Sequence, residues 1–195
     1  MRPAPVTIRP ATPTDAPFAA PLIQATIGPI GWALTGTPSD AEAAEVIEQL
    51  FPLSGHRLSF ERVRVAERDG QPLGLLLAYP GAAAELLDQP LRARLRALGQ
   101  PDHIEPEGTP GELYLDTLAV SEAARNQGIG AQLLAAAAVW ACELGLPRLG
   151  LLAQDGNPAA RLYERSGFVA AGHRTLAGGH YTHLTRDLPP TAPSE

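Results

Sequence analysis

Apolar positions along this chain recur with a period of two in some stretches and of three to four in others, and each change of period marks a passage between strand and helix. Residues 6–9 read as a short first strand, followed by the turn-forming run from Pro10 to Asp15 and a helix to about Ile27. Pro17 suits the first turn of that helix and Pro21 marks a break in it. Residues 28–38, with Trp32, read as a loop, and Ser39-Asp40-Ala41-Glu42 resembles a capping box opening a helix to about Phe51. Leu58, Phe60, Val63 and Val65 place a strand over 57–67, with a slip of alternation between Phe60 and Val63. Asp69-Gly70 is a hairpin signal, and 71–79 is the return strand, apolar enough from Leu73 to Ala78 to be buried on both faces. A helical region over 82–98, interrupted near Pro90, presents Arg92, Arg94 and Arg96 as a solvated face. The acid-bearing loop 99–111 reads either as a lid that draws in an amine or as a solvated connector, the ordinary role of a polar loop.

The second half is more regular. Residues 112–120 form an apolar strand that runs through Arg125-Asn126-Gln127-Gly128-Ile129-Gly130 into a helix ending near Leu144. Leu133, Leu134, Ala137, Ala138, Ala141 and Cys142 share one helix face, which makes Cys142 a core residue. Gly145-Leu146-Pro147 stops the helix, and 148–153 is another buried strand, so the order strand, loop, helix, strand meets the requirement of a parallel crossover. After the turn Asp155-Gly156-Asn157-Pro158 come a short helix to about Ser166, a strand from Gly167-Phe168, a last strand over 181–186 and a Pro-rich tail over 189–195.

Composition narrows the function. A chain of 195 residues with 45% hydrophobic residues suits one domain over 1–188. No apolar run is long enough for a membrane helix and no apolar segment follows the first residues, so the expected setting is cytoplasmic, away from membranes. The single cysteine excludes an internal disulfide and a multi-cysteine metal site, and the pair His180 and His183 is too few ligands for a metal. A net charge of −6 argues against nucleic acid as a partner and suits a cationic substrate. All the formal positive charge is arginine and no lysine occurs, which excludes a Schiff-base lysine and the lysine of a P-loop.

The junction at Arg125 to Gly130 is an anion site in its own right. The free N–H groups and positive dipole end of the following helix converge there, glycine admits a phosphate close to the backbone, and Arg125 adds a charge. A dinucleotide fingerprint would need a third glycine where Leu133 stands.

Arg125-x-x-Gly128-x-Gly130 after Leu118-Ala119-Val120, with Asn157-Pro158-Ala159-Ala160-Arg161-Leu162-Tyr163-Glu164-Arg165-Ser166-Gly167-Phe168 downstream, resembles the GNAT superfamily of acyl-coenzyme-A-dependent N-acetyltransferases. The resemblance is close from Glu112 to Val169 and does not extend to 28–53 or 82–111. It implies an α/β fold with a mixed central sheet of about six to seven strands and flanking helices, splayed between the strand ending near Val120 and the strand ending near Ala153. It further implies acetyl-coenzyme A as cosubstrate. Its pyrophosphate would lie on the loop Arg125, Asn126, Gln127, Gly128, Ile129, Gly130 and Ala131, and its pantetheine on the main chain of Leu118, Ala119 and Val120, with Asn157 and Ala160 beside it and the Tyr163 hydroxyl at the thioester sulfur. No metal is implied.

Such a reaction needs a neutral amine, a donor for the tetrahedral oxyanion and a proton for the departing thiolate. A phenol of ordinary pKa near ~10 can protonate a thiolate whose acid lies near ~8.5, which casts Tyr163 as the acid. The N–H of Val120 or a neighbour suits the oxyanion. Glu112 is the candidate base, and Asp116 shares its face if the strand alternates without a bulge. His103, His173, His180 and His183 carry no assigned role. The acceptor reads as a small amine, with a protein N-terminus or lysine and a non-catalytic acyl-coenzyme-A module as alternatives, and a homodimer through the last strands is compatible with the pattern.

Overall fold

A computed structural model describes residues 4–189; the first residues and the Pro-rich tail beyond 189 lie outside the described residues. Its centre is a seven-stranded sheet in the order β1-β2-β3-β4-β5-β7-β6. The strands are β1 (Thr7–Pro10), β2 (Val63–Arg68), β3 (Gln71–Pro80), β4 (Leu113–Val120), β5 (Arg148–Gln154), β6 (Val169–Leu176) and β7 (Gly179–Asp187). All neighbours are antiparallel except β4 and β5. The helices are α1 (Ala16–Ile27), α2 (Pro29–Thr35), α3 (Asp40–Leu50), α4 (Ala84–Ala97), α5 (Ile129–Glu143) and α6 (Ala160–Arg165).

Period-two alternation divides the sheet's side chains between two cores. Leu75, Leu77, Tyr79 and Tyr114 pack with α1 to α4, whereas Leu76, Ala78, Leu113, Leu115, Leu149 and Leu151 pack with α5 and α6. The strand β3 is therefore buried on both faces, as its unbroken apolar run requires. Asp69 and Gly70 adopt φ of 52° and 75°, the left-handed pair of a tight hairpin between β2 and β3. Ser39 accepts from the Glu42 N–H at 3.3 Å at the start of α3.

Four expectations need correction. Residues 29–35 are helical, started by Pro29 and closed by the left-handed Gly36, whose N–H bonds the Trp32 carbonyl. Pro21 and Pro90 lie inside continuous helices, each on an exposed position, so the carbonyl that each leaves without a partner faces solvent. Strand β2 begins only at Val63, because 60–62 form a short 3-10 turn after the buried segment 56–59. Arg92 and Arg94 are struts, not a solvated face: Arg92 donates to the Ile104 carbonyl at 2.9 Å and Arg94 to the Thr35 carbonyl at 2.7 Å.

Among the described residues no helix is long and apolar enough to cross a membrane. No group of three or more His, Cys, Asp or Glu among them is arranged to hold a metal ion.

Candidate active site

The parallel pair is the break in the sheet. Only Leu113 with Leu149 and Tyr114 with Gly150 are paired, after which β4 and β5 part. Beyond that point β4 keeps its antiparallel partner β3 on one side, with Leu118 opposite Leu76 and Val120 opposite Gly74. Ser121 donates its N–H to the Leu73 carbonyl at 2.8 Å, on the β3 side. Backbone groups alternate along a strand, so the N–H and C=O groups of Leu118 and Val120 point the other way, into the gap that β5 has left. Residues 118–120 are only half buried. An extended chain entering the gap would find a free strand edge.

At the mouth of the gap the main chain enters α5. Asn126 and Gly128 have φ of 61° and 76°, and two left-handed residues in three curl the loop into a concavity. Gly128 is the N-cap of α5 and no side chain caps it, so the first-turn N–H groups up to Ala131 remain available. Arg125, Asn126, Gln127 and Gly128 are exposed, whereas Ile129 is buried and anchors the helix start. Gly130 serves packing: a Cβ there would meet Leu162 of α6 at 2.9 Å. Gln127 is steadied by Arg68, which donates to its side-chain oxygen at 3.0 Å.

On the α6 side Asn157 uses its side-chain oxygen to accept from the Ala159 N–H at 2.8 Å, which leaves its amide NH₂ as the group that can donate elsewhere. Ala160 opens α6 on an exposed position. Tyr163 is 7% exposed and stacks edge-on against Phe168 at 5.9 Å. Burial pushes its phenol up to about 12, so it holds its proton across the physiological range.

On the opposite face lies Glu112, 1% exposed. Its carboxylate accepts from the Thr109 N–H at 3.1 Å and stands 3.0 Å from His183 Nε2. It rests directly on Gly150, where any Cβ would overlap it. His183, opposite Leu152 on β7, joins this site without any signal in its sequence surroundings, because the pairing spans strands far apart in the chain.

Asp116 lies on the Glu112 face as expected, but the strand is not regular there. Thr117 pairs with Leu77 and Leu115 with Ala78, so Asp116 is the extra residue of a β-bulge. Its side chain still turns to the Glu112 face, where it is 1% exposed and ion-paired to Arg57, and it accepts from the Tyr79 hydroxyl at 3.3 Å. Arg57 also pairs with Glu107 at 2.5 Å and with Asp88 at 3.5 Å, and lies 5.6 Å from the Tyr79 ring. Burial opposes its charge, yet Glu107, Asp116 and Asp88 hold its pKa well above the ordinary arginine range.

Glu107 accepts in addition from Tyr114 at 2.8 Å, and Arg174 of β6 clasps the carbonyls of Glu107 and Pro106 at 2.7 and 2.6 Å. The loop 99–111 is mostly exposed, as a solvated connector is, but buried Ile104 and Glu107 pin it, so it is a fixed wall and not a free lid. Between this wall, α2 and the β6–β7 turn lies a cavity of about 180 Å³. Ile30, Leu34, Ile104 and Leu176 make it mainly apolar, and His103, Glu105 and Glu107 also line it.

Asp88 has no hydrogen-bond partner for either oxygen, and burial raises its pKa to about 6. An acid whose folded pKa exceeds its unfolded one destabilises the fold as it ionises, so this cost appears as pH rises from about 4 through 6. Asp88→Asn, which cannot ionise, should raise the melting temperature relative to wild type at pH ~8, with the gap closing toward pH ~4. A gap independent of pH in calorimetric scans would contradict this.

A mixed sheet split at its one parallel pair, with an uncapped glycine loop at the mouth of the split, can receive an extended cosubstrate that ends in a phosphate group. The sequence profile of the Acetyltransferase (GNAT) family matches residues 32–168, and the chain belongs to that family. A structurally characterised acetyltransferase is 30% identical over 94% of this chain and 100% of its own, with a TM-score of 0.76. An N-acetyltransferase from Staphylococcus aureus Mu50 is 26% identical over 92% of this chain and 99% of its own, with a TM-score of 0.73. The N-acetylglutamate synthase from Neisseria gonorrhoeae, solved with coenzyme A and L-arginine, shares the fold at 21% identity and a TM-score of 0.58, over 95% of this chain and 34% of its own. No protein of curated function matches the sequence.

Proposed function

We propose that this enzyme transfers the acetyl group of acetyl-coenzyme A to the nitrogen of a small primary amine by direct attack on the thioester. The observation that carries the reading is the free edge of β4 at Leu118 and Val120, continuous with the uncapped start of α5. In this reading the loop from Arg125 to Ala131 holds the pyrophosphate, the Leu118 and Val120 main chain holds the pantetheine amides, Ala119 packs beside them, and Asn157 and Ala160 border the arm.

Glu112, backed by His183, takes the proton of the incoming ammonium, directly or through water, and frees the nitrogen lone pair. The N–H of Val120 or its neighbour steadies the oxyanion that forms as nitrogen bonds the carbonyl carbon. Tyr163 gives its proton to the sulfur as the C–S bond breaks, and the second proton, shed by the nitrogen as it becomes an amide, returns to Tyr163 through water. Glu112 and Tyr163 approach from opposite faces of the sheet, and the parting of β4 and β5 is what lets both reach one carbonyl. Asp116, locked to a buried guanidinium, is the weaker candidate for base.

The pinned loop supports a compact acceptor over a peptide. An extended substrate needs an open groove, whereas the cavity between the pinned loop and α2 is small and mainly apolar and suits a compact hydrophobic amine; the larger polar hollow of about 330 Å³ at Asp155, His173 and His180 is the alternative entry for a more polar one. Incubation with acetyl-coenzyme A and a panel of alkyl and aryl amines, polyamines and peptides, read by mass spectrometry, tests this; preferential acetylation of the peptides would overturn it. Gly128→Glu places bulk and negative charge at the loop and should abolish coenzyme A binding in calorimetry. Undiminished affinity would remove the loop from the site.

A further inference from the structure

We propose that Arg57 is a positioning residue for acetyl transfer: by binding Asp116 it holds the β4 bulge that aims the Leu118 and Val120 N–H groups into the gap. This rests on the proposed use of that strand edge.

The bulge has a geometric consequence. Before it, Leu113 and Leu115 face the α5 core and Tyr114 faces the other; after it, Leu118 packs on the α5 side. Odd and even positions have exchanged faces. A regular β4 would turn the backbone groups of Thr117 and Ala119 into the gap in place of those of Leu118 and Val120, and the side chains would follow. An unpaired residue in a strand costs ladder bonds, so something must hold it.

Asp116 is that residue. Its side chain is buried to 1% exposure although its main chain stands open along the gap. The Arg57 guanidinium arrives from the irregular segment before β2 and is itself 1% exposed. One terminal nitrogen of the guanidinium serves both Asp116 and Glu107. Releasing a carboxylate from a buried pair leaves an uncompensated charge, so slippage of the bulge is strongly opposed. The same guanidinium anchors the loop whose Thr109 N–H bonds Glu112. Arg57 therefore ties the donor edge to the wall that orients the candidate base. The third carboxylate, Asp88, belongs to α4, meets Arg57 at the longest distance of the three and makes no hydrogen bond to β4.

That asymmetry supplies the test, made on the full chain with two variants of like chemistry. Asp116→Asn should raise the Kd for coenzyme A in calorimetry at least tenfold, and hydrogen exchange over the β4 peptide should quicken at least tenfold. Asp88→Asn perturbs the same buried cluster and should leave both within twofold of wild type. Quickened β4 exchange with unchanged coenzyme A affinity, which a purely structural or a general-base role for Asp116 predicts, overturns the proposal, and so does lost affinity without quickened exchange. The exchange measurement decides it even if wild type does not bind coenzyme A, an outcome that would sink the proposed function instead. Should Asp116→Asn fail to fold, Arg57→Lys, which keeps the charge and loses the fork, must show the same two changes.

Discussion

Glu112→Gln should slow acetyl transfer at neutral pH by about a hundredfold, the lower end of what a positioned base contributes. The amide preserves volume and can still accept from Thr109, so the buried setting survives while the proton acceptor is lost. Affinity for acetyl-coenzyme A should not change, since Glu112 lies on the face away from the α5 core. The pH profile is the sharper readout. Without an internal base the reaction depends on amine that is already neutral, so the residual rate should climb with pH until the acceptor's own ammonium titrates. A variant whose profile keeps the wild-type shape and height would exclude Glu112 as the base. Gly150→Ala offers an independent approach from a residue with no chemistry. Its methyl would overlap the Glu112 carboxyl, and the displaced carboxylate should reproduce much of the loss.

Tyr163→Phe should keep coenzyme A binding and lose at least roughly tenfold in turnover. The ring stays against Phe168, so packing is nearly conserved. Because burial raises the phenol to about 12, no falling limb due to Tyr163 should appear below pH ~11 in the wild type. At about 12 the phenol is a weaker acid than a thiol near ~8.5, so full transfer to the thiolate runs uphill and depends on return of a proton to Tyr163 in the same step. Unchanged turnover would assign the leaving-group proton to water.

The parts of this molecule that were legible in its sequence are those whose causes are local. The Asp69-Gly70 turn, the Ser39 cap and the passage from Val120 through Gly128 into α5 each depend on residues within a few positions of one another. The segment 29–35 misled because its punctuating residues, Pro29 and Gly36, also begin and end loops; their order, proline first and glycine last, is that of a helix. Pro21 and Pro90 misled because their cost depends on whether the orphaned carbonyl meets water, which only the fold decides. The bulge at Asp116, the Arg57 cluster and the Glu112–His183 pair are contacts between distant segments, and no period or spacing records them. Alternation did place Asp116 on the Glu112 face, but the guanidinium that occupies it comes from 59 positions upstream.

The close crossing of the 99–111 loop over the end of β3 brings Gly108 against Gly81 with no room for a side chain on either. A methyl on either glycine would push the loop off the strand end, and with it the Thr109 N–H that Glu112 accepts from. Arg174 holds the same loop from its other side, so the β6–β7 hairpin and two glycines 27 positions apart fix one segment of wall between them.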